Sequence, residues 1–396
     1  MGGNLAQQSK KIRIIIILLL FVIYFIAAAR PIPRETILAH KWISSLEVES
    51  LLQSNSSLLS NSQQANTAAS AAGGNDGQLI PFTLGARFGY VDPSGNFAVN
   101  KVKTGGIYLG ENLWTEYGAQ PATIEIKNMA EETVVSVENM RGYPVLLDNR
   151  IFILGSEQNV LSEIDSSGNV LWTYEFGAPL TCIDAAAGLV LTGSIDGIIE
   201  IIDSRGRRIF YFEPGGSRYA VIMGCAISRN GSRIGVVSGV DQQRFLFLER
   251  YGGDGDYKVV YHEFLDTGFR RPVRVSFIDE DRRLVFERSG GIGCLNIKTR
   301  QGIRIPLDGK IAAIDSSGDN GVFFLINSRS PQLKELIGIR LPNENWTPFS
   351  KQGRSMSDAI FIKAPFKSES FFLRRTGSML IAGGGSALIS FNLEEK

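Results

Sequence analysis

Residues 163–176 read EIDSSGNVLWTYEF, a compact polar turn followed by an alternating apolar strand that carries a tryptophan. An aspartate at the start of such a turn can accept backbone N–H bonds, and the glycine tolerates positive φ, so DSSG is hairpin chemistry. The stretch has relatives. YVDPSGNFAV begins at Tyr90, EIIDSRGRRIFYFEP at Glu200, and LNIKTRQGIRIPL, a degenerate copy, at Leu295. Asp92, Asp165 and Asp203 occupy equivalent positions in the first three. A reaction site would not be copied in this way, whereas a scaffold tooth would be.

A second series gives the period. Asp148, Asp184, Ser228, Asp279 and Asp315 each follow a short apolar strand and precede another, at gaps of 36, 44, 51 and 36 residues. Spacings of about 40–50 residues with four short strands each are the signature of propeller blades. The unit is clearest over 179–214. LTCID is an inner strand, LVLTGS the second, IIEIID the third and RRIFYFEP the outer fourth. The inner strands are apolar on both faces, as strands packed between neighbouring blades must be. The recurrent aspartates therefore read as structural turn residues, set against the alternative of a ring of functional carboxylates.

The C-terminal GSMLIAGGGSALISFNLEEK matches a second and third strand and then stops. HKWISSLEV, near the other end of the sequence, resembles the outer strand VLWTYEF, with Trp42 in the place of Trp172. Residues 40–48 are thus expected to complete the last blade, which removes an open sheet edge. The fold class is all-β, a β-propeller of four-stranded blades over 79–396. Seven blades are preferred and eight are the alternative, the difference being whether the hairpin at 79–104 elaborates the first blade or stands alone.

The D-x-x-G-x-x-x-W pattern from Asp165 to Trp172 resembles the repeat of quinoprotein-dehydrogenase-like propellers, and WD40-like and YVTN-type propellers share the architecture. The resemblance covers roughly 41–396, with the motif good in two or three repeats. It implies the fold, and it is similar to the BamB-like, non-enzymatic members as well as to the quinone enzymes. A quinoprotein needs a calcium site, a hydride-abstracting base and a stacking cage. The sequence offers no calcium-loop spacing and no vicinal cysteines, so no cofactor is expected.

Other chemistry is equally thin. Lys+Arg number 41 and Asp+Glu 40, which gives no reason to expect nucleic acid. The histidines are His40 and His262, and GxSxG is absent. Cys182, Cys225 and Cys294 show no CxxC spacing, so they read as small buried apolar residues, with a disulfide between two of them left open. The glycine runs at 289–293 and 383–386 match blade turns and not phosphate loops. The basic cluster FRRPVR, with Arg270, Arg271 and Arg274, is either a solvated rim or a partner-binding face. The insertions at 251–257 and 327–333 are further candidate contacts, because propellers bind through their loops.

At the N-terminal end, Lys10, Lys11 and Arg13 precede an apolar run over 14–29. Its length falls between a signal-peptide core and a full span, and Ala27 and Ala29 form an A-x-A cleavage pattern. The expectation is a retained transmembrane signal-anchor, with a cytoplasmic tail at 1–13 and the propeller on the periplasmic side of a bacterial inner membrane. Residues 49–78 are rich in Ser, Asn, Gln, Ala and Gly, and read as a flexible loop. The resulting function is a membrane-tethered scaffold for envelope or membrane proteins. The alternatives are a BamB-like assembly factor, or a hydrolase or lyase using the central channel, which would need converging carboxylates of raised pKa.

Overall fold

The computed structural model describes Leu19, Phe21, Tyr24, 36–47, 79–342 except 120, 122, 139, 254, 267 and 319, then 354–355 and 357–395. The tail at 1–13, the expected loop at 49–78 and most of the apolar run at 14–29 lie outside the described residues. Among the described residues no helix is long and apolar enough to cross a membrane. Contacts group His40–Asn392 as one unit, which contains all or most of every strand described below.

Among the described residues the strands form eight sheets, antiparallel apart from one short addition, so the blade count is eight and not seven. Blade 1 spans 80–102, blade 2 106–138, blade 3 142–175, blade 4 180–212, blade 5 222–264, blade 6 275–306, blade 7 310–367 and blade 8 371–395 together with the early strand Thr36–Ser45. The hairpin at 79–104 proves to be a blade of its own, with strands Ile80–Leu84, Arg87–Val91 and Phe97–Val102. Its Asp92 turn corresponds to the Asp165 turn, so these are a second, third and outer strand. The innermost strand of the pattern is not among the described residues, and that is why the period read as an elaboration. Blade 6 carries an addition, as Arg354–Ser355 pairs in parallel with its outer strand Gln301–Pro306.

Blade 8 is ordered Thr36–Ser45, Ala387–Glu395, Met379–Gly384, Phe371–Thr376. The strand expected at 40–48 thus begins earlier and ends at Ser45. Leu46 is buried and donates its N–H to the Ser386 carbonyl at 2.8 Å.

The core lies between blades, because each blade is apolar on both faces. One cluster joins Ile278, Val285 and Ile303 of blade 6 to Phe323, Leu325 and Ile337 of blade 7. Another joins Phe245 and Phe247 of blade 5 to Phe277 and Phe286 of blade 6, with Phe245 and Phe286 stacked at 3.8 Å. Leu191 and Ile199 of blade 4 pack on Ile234 and Leu246 of blade 5, and Phe82 of blade 1 packs with Ile381 and Leu388 of blade 8.

The meander fixes two loop faces. Turns between first and second strands, and between third and outer strands, share the turn face. Turns between second and third strands share the opposite, crossover face with the links between blades. Hydrogen bonds hold the crossover face together: the Ile195 N–H donates to the Pro179 carbonyl, Val240 to Tyr219, and Leu307 to Gly290.

Candidate functional site

The aspartates divide into two structural sets. Asp92, Asp165 and Asp203 cap their own turns. Asp165 Oδ1 accepts the N–H groups of Ser167 and Asn169, both at 2.8 Å. Asp92 does the same with Ser94 and Asn96, and Asp203 with Arg205 and Arg207. At Asp165 the Asn169 N–H, and then the other turn donors, hold the carboxyl below its usual range. Asparagine retains the Oδ1 acceptor. Asp165→Asn is therefore expected to leave the melting temperature nearly unchanged, and Asp165→Ala to lower it. Loss of a partner-binding signal in the asparagine variant at constant melting temperature would assign the carboxylate a functional role instead.

The other set reaches across to a neighbouring blade. Asp148 Oδ2 accepts the Gly188 N–H at 3.3 Å. Asp184 Oδ2 accepts the Ile227 N–H at 2.9 Å. Asp279 donates its N–H to Gly318 at 2.8 Å and is buried between Arg282 and Arg283, at 2.7 and 3.2 Å. Asp315 holds Ser317, whose hydroxyl donates to the Arg375 carbonyl of blade 8 at 2.9 Å.

The tryptophans mark a recurring joint. Trp172 of blade 3 is buried against Gly206 in the turn of blade 4, and its Nε1–H donates to Glu163 Oε2 at 2.6 Å. Trp42 of blade 8 lies in the same way against Gly95 of blade 1, and donates to the Pro93 carbonyl at 3.1 Å. Both glycines have positive φ, +74° and +93°, and a Cβ on either would lie 2.7 Å from the indole.

A cavity of about 550 Å³ opens on the turn face at the inner ends of the blades. Glu111, Asp148, Asp184, Arg150, Arg229 and Arg374 line it. Arg374 pairs with Glu111 at 3.1 Å, and Arg150 makes a bidentate pair with Glu163 at 2.8 and 2.6 Å. Burial raises two carboxyls, Asp315 and Asp184, and Asp184 is the one that lines this cavity. Burial pushes it up to about 6, opposed by N–H bonds from Ile227 and Ala185 and aided by the charge of Asp148.

That shift has a stability consequence. The folded pKa lies above the ordinary aspartate value of 3.8, so the protonated carboxyl favours the folded state. This contribution is fully present below about pH 4 and is lost as pH rises through 6. Asp184→Asn should remove that fall. Denaturation of the two proteins across pH 4–7 should diverge by up to about 3 kcal/mol at the upper end. Parallel curves would contradict the assignment.

The cysteines are free thiols. Cys182 and Cys225 lie on the inner strands of blades 4 and 5, and the hydrogen bond between their side chains, followed by burial, raises the Cys225 thiol. Burial pushes Cys294 up to about 12.

The basic cluster on the crossover face is split by the fold. Arg271 is a structural partner, forming bonds of 2.6 and 3.0 Å with Glu287, which is 1% exposed. Arg270 is exposed. Arg274 turns to a second cavity, described below. The same face exposes Ile195, Tyr219 and Phe264, each more than half exposed. Sequence reading missed these three, together with Glu163, Glu287 and Lys334. For the last group the available signal was a charge at an inward-facing strand position, as in the runs VFERSG and LKELIGI.

A family model described as "beta-propeller protein" matches residues 4–379. Among curated proteins nothing matches. Among solved structures, BamB from Moraxella catarrhalis is similar with a TM-score of 0.54 at 11% identity, covering 90% of this chain and 100% of that one. The computationally designed Ika8 protein is similar with a TM-score of 0.53 at 12% identity, covering 80% of this chain and 98% of that one. At such identities the likeness is one of fold.

Proposed function

This chain belongs to the β-propeller protein family, and we propose that it is a non-enzymatic scaffold that binds protein partners through its crossover face. One observation carries the reading: Ile195, Tyr219 and Phe264 stand exposed on the same crossover face as the exposed Arg218 and Arg270, with Arg218 over the Tyr219 ring at 5.7 Å. Tyrosine and arginine with exposed apolar neighbours are the composition of binding hot spots, and an exposed apolar patch on a rigid frame needs a partner to cover it. The fold likeness to BamB supports the propeller frame on which this reading builds. In this proposal the apolar run at 14–29 tethers the propeller to a bacterial inner membrane, with the disc on the periplasmic side.

The enzyme reading has one observation in its favour, the raised Asp184 carboxyl beside Asp148 in the turn-face cavity. Against it, both Asp184 oxygens are engaged by backbone N–H groups of Ala185 and Ile227, which is the bonding of a strut.

A photo-crosslinking residue placed at Tyr219 in intact membranes should capture a discrete protein adduct that the same residue at Val102, exposed on blade 1, does not. Equal labelling from both positions, or none, overturns the patch as the interface. A mature N-terminus at Arg30 would overturn the tether.

A further inference from the structure

We propose that the crossover face carries an anion-binding site, formed by Arg274, Lys310 and Lys334, that takes an acidic side chain of a bound polypeptide. The three residues line a cavity of about 460 Å³ where the inner strands of blades 6, 7 and 8 begin, together with Phe371, Pro331 and Glu369. This deepens the scaffold reading and rests on it for the identity of the ligand as a polypeptide.

The charge balance is the first argument. Three cations face one carboxylate, Glu369, at the exposed rim. Nearby acids are engaged elsewhere. Glu287 is held by Arg271 and by the Ile311 N–H at 3.0 Å. Glu335 pairs with Arg329 at 3.2 Å and Lys363 at 3.7 Å. Asp308 pairs with Arg329 at 3.2 Å.

Lys334 is the second argument. It is 3% exposed, and among the described residues its ammonium donates to the Ser330 and Pro331 carbonyls and not to a carboxylate. A buried ammonium balanced by carbonyl dipoles alone leaves a positive field in the cavity, and an incoming anion would meet it with little competition from water. Arg274 has one guanidinium nitrogen on the Ala312 carbonyl at 3.0 Å and keeps further donors. Lys310 is exposed at the mouth.

The apolar part of the lining decides between anions. Phe371, Pro331 and Ala312 offer contact to a carbon stem, which a glutamate side chain has and a bare phosphate lacks. Glu369 at the rim disfavours a dianion more than a single carboxylate. The site thus fits a monovalent carboxylate on an aliphatic stem.

The test uses the full chain and fluorescein-labelled hexaglutamate in low salt, with hexaglutamine, free glutamate and inorganic phosphate as competitors. Hexaglutamate should bind, and Arg274→Gln with Lys310→Gln should weaken it at least tenfold. Arg205→Gln with Lys258→Gln, a loss of the same charge from blades 4 and 5, should leave it within twofold. Lys334 is left in place because of its burial. Equal weakening by the two double variants, or no binding to the wild type, overturns the site. Displacement by phosphate at concentrations where hexaglutamine does nothing and free glutamate is no better than phosphate would overturn the polypeptide-carboxylate assignment. If hexaglutamate binds as expected while no adduct forms at Tyr219, the scaffold interface fails and the anion site stands.

Discussion

A chain that begins at Leu79 is expected to lose at least about 3 kcal/mol of stability and to aggregate on warming. It would lack the strand Thr36–Ser45 that forms the outer edge of blade 8, next to Ala387–Glu395. Trp42 and Leu46 would be lost with it, and both belong to the cluster that joins blade 8 to blade 1 through Phe82, Val91 and Met379. Truncating a buried leucine such as Leu46 alone costs about 2–5 kcal/mol, and the half-buried Trp42 adds to it. The Ala387–Glu395 strand would become an unpaired edge, a template for intermolecular pairing. The Trp42–Pro93 and Ser44–Gly95 hydrogen bonds, at 3.1 and 2.6 Å, would go as well, which frees the turn of blade 1. Because a domain's whole stability is about 5–15 kcal/mol, such a loss is a large share of it. Guanidinium denaturation of the shortened chain beside one beginning at Arg34 measures the effect. Equal midpoints would show that residues 36–47 do not hold the ring.

The architecture was legible because a propeller repeats its constraints. Each third-to-outer turn needs a capping acceptor and a residue of positive φ, so Asp92, Asp165 and Asp203 recur with Gly95, Gly168 and Gly206 three positions on. The equivalence of Trp42 and Trp172 was visible for the same reason, since both indoles must meet a glycine in the next blade. The count of eight was hidden because among the described residues blade 1 has three strands, without the inner strand that sets the period elsewhere.

The chemistry was less legible, and the reason is physical. A short basic run looks uniform in sequence, yet the fold gives its members different surroundings. Arg271 meets a buried carboxylate 16 residues away, Arg274 turns to a cavity completed by Lys310 and Lys334, and Arg270 stays in solvent. Likewise Asp148, Asp184, Asp279 and Asp315 look like one series of turn aspartates. Their side chains or backbones bond to neighbouring blades, and only distance in space assigns those partners. Pairings of this kind leave no periodic trace.

Trp172→Ala is expected to destabilise the protein by about 3–5 kcal/mol. The ring is 8% exposed, packs at 6.1 Å from Phe152 and belongs to the cluster that links blade 3 to Val190 and Ile202 of blade 4. Its loss opens a cavity between two rigid sheets that cannot easily collapse, and it removes one donor from the buried Glu163, which keeps Arg150. Trp172→Phe retains most of the packing and leaves Glu163 Oε2 bonded to Arg150, so it should cost about 1.5–3 kcal/mol, the contribution of one hydrogen bond to a charged group. Gly206 supplies an independent check. A methyl there would lie 2.7 Å from the indole, so Gly206→Ala should be strongly destabilising in the wild type. In the Trp172→Ala background the contacts with the ring are gone, which leaves the approach to the retained Cβ of residue 172 and the strain of positive φ, about 1–2 kcal/mol. The two substitutions should therefore be non-additive, with a coupling of about 1–3 kcal/mol in a double-mutant cycle. Additive costs would mean that the indole and the turn of blade 4 are not in contact. A Trp172→Ala protein that melts with the wild type would remove the joint from the account of what holds adjacent blades together.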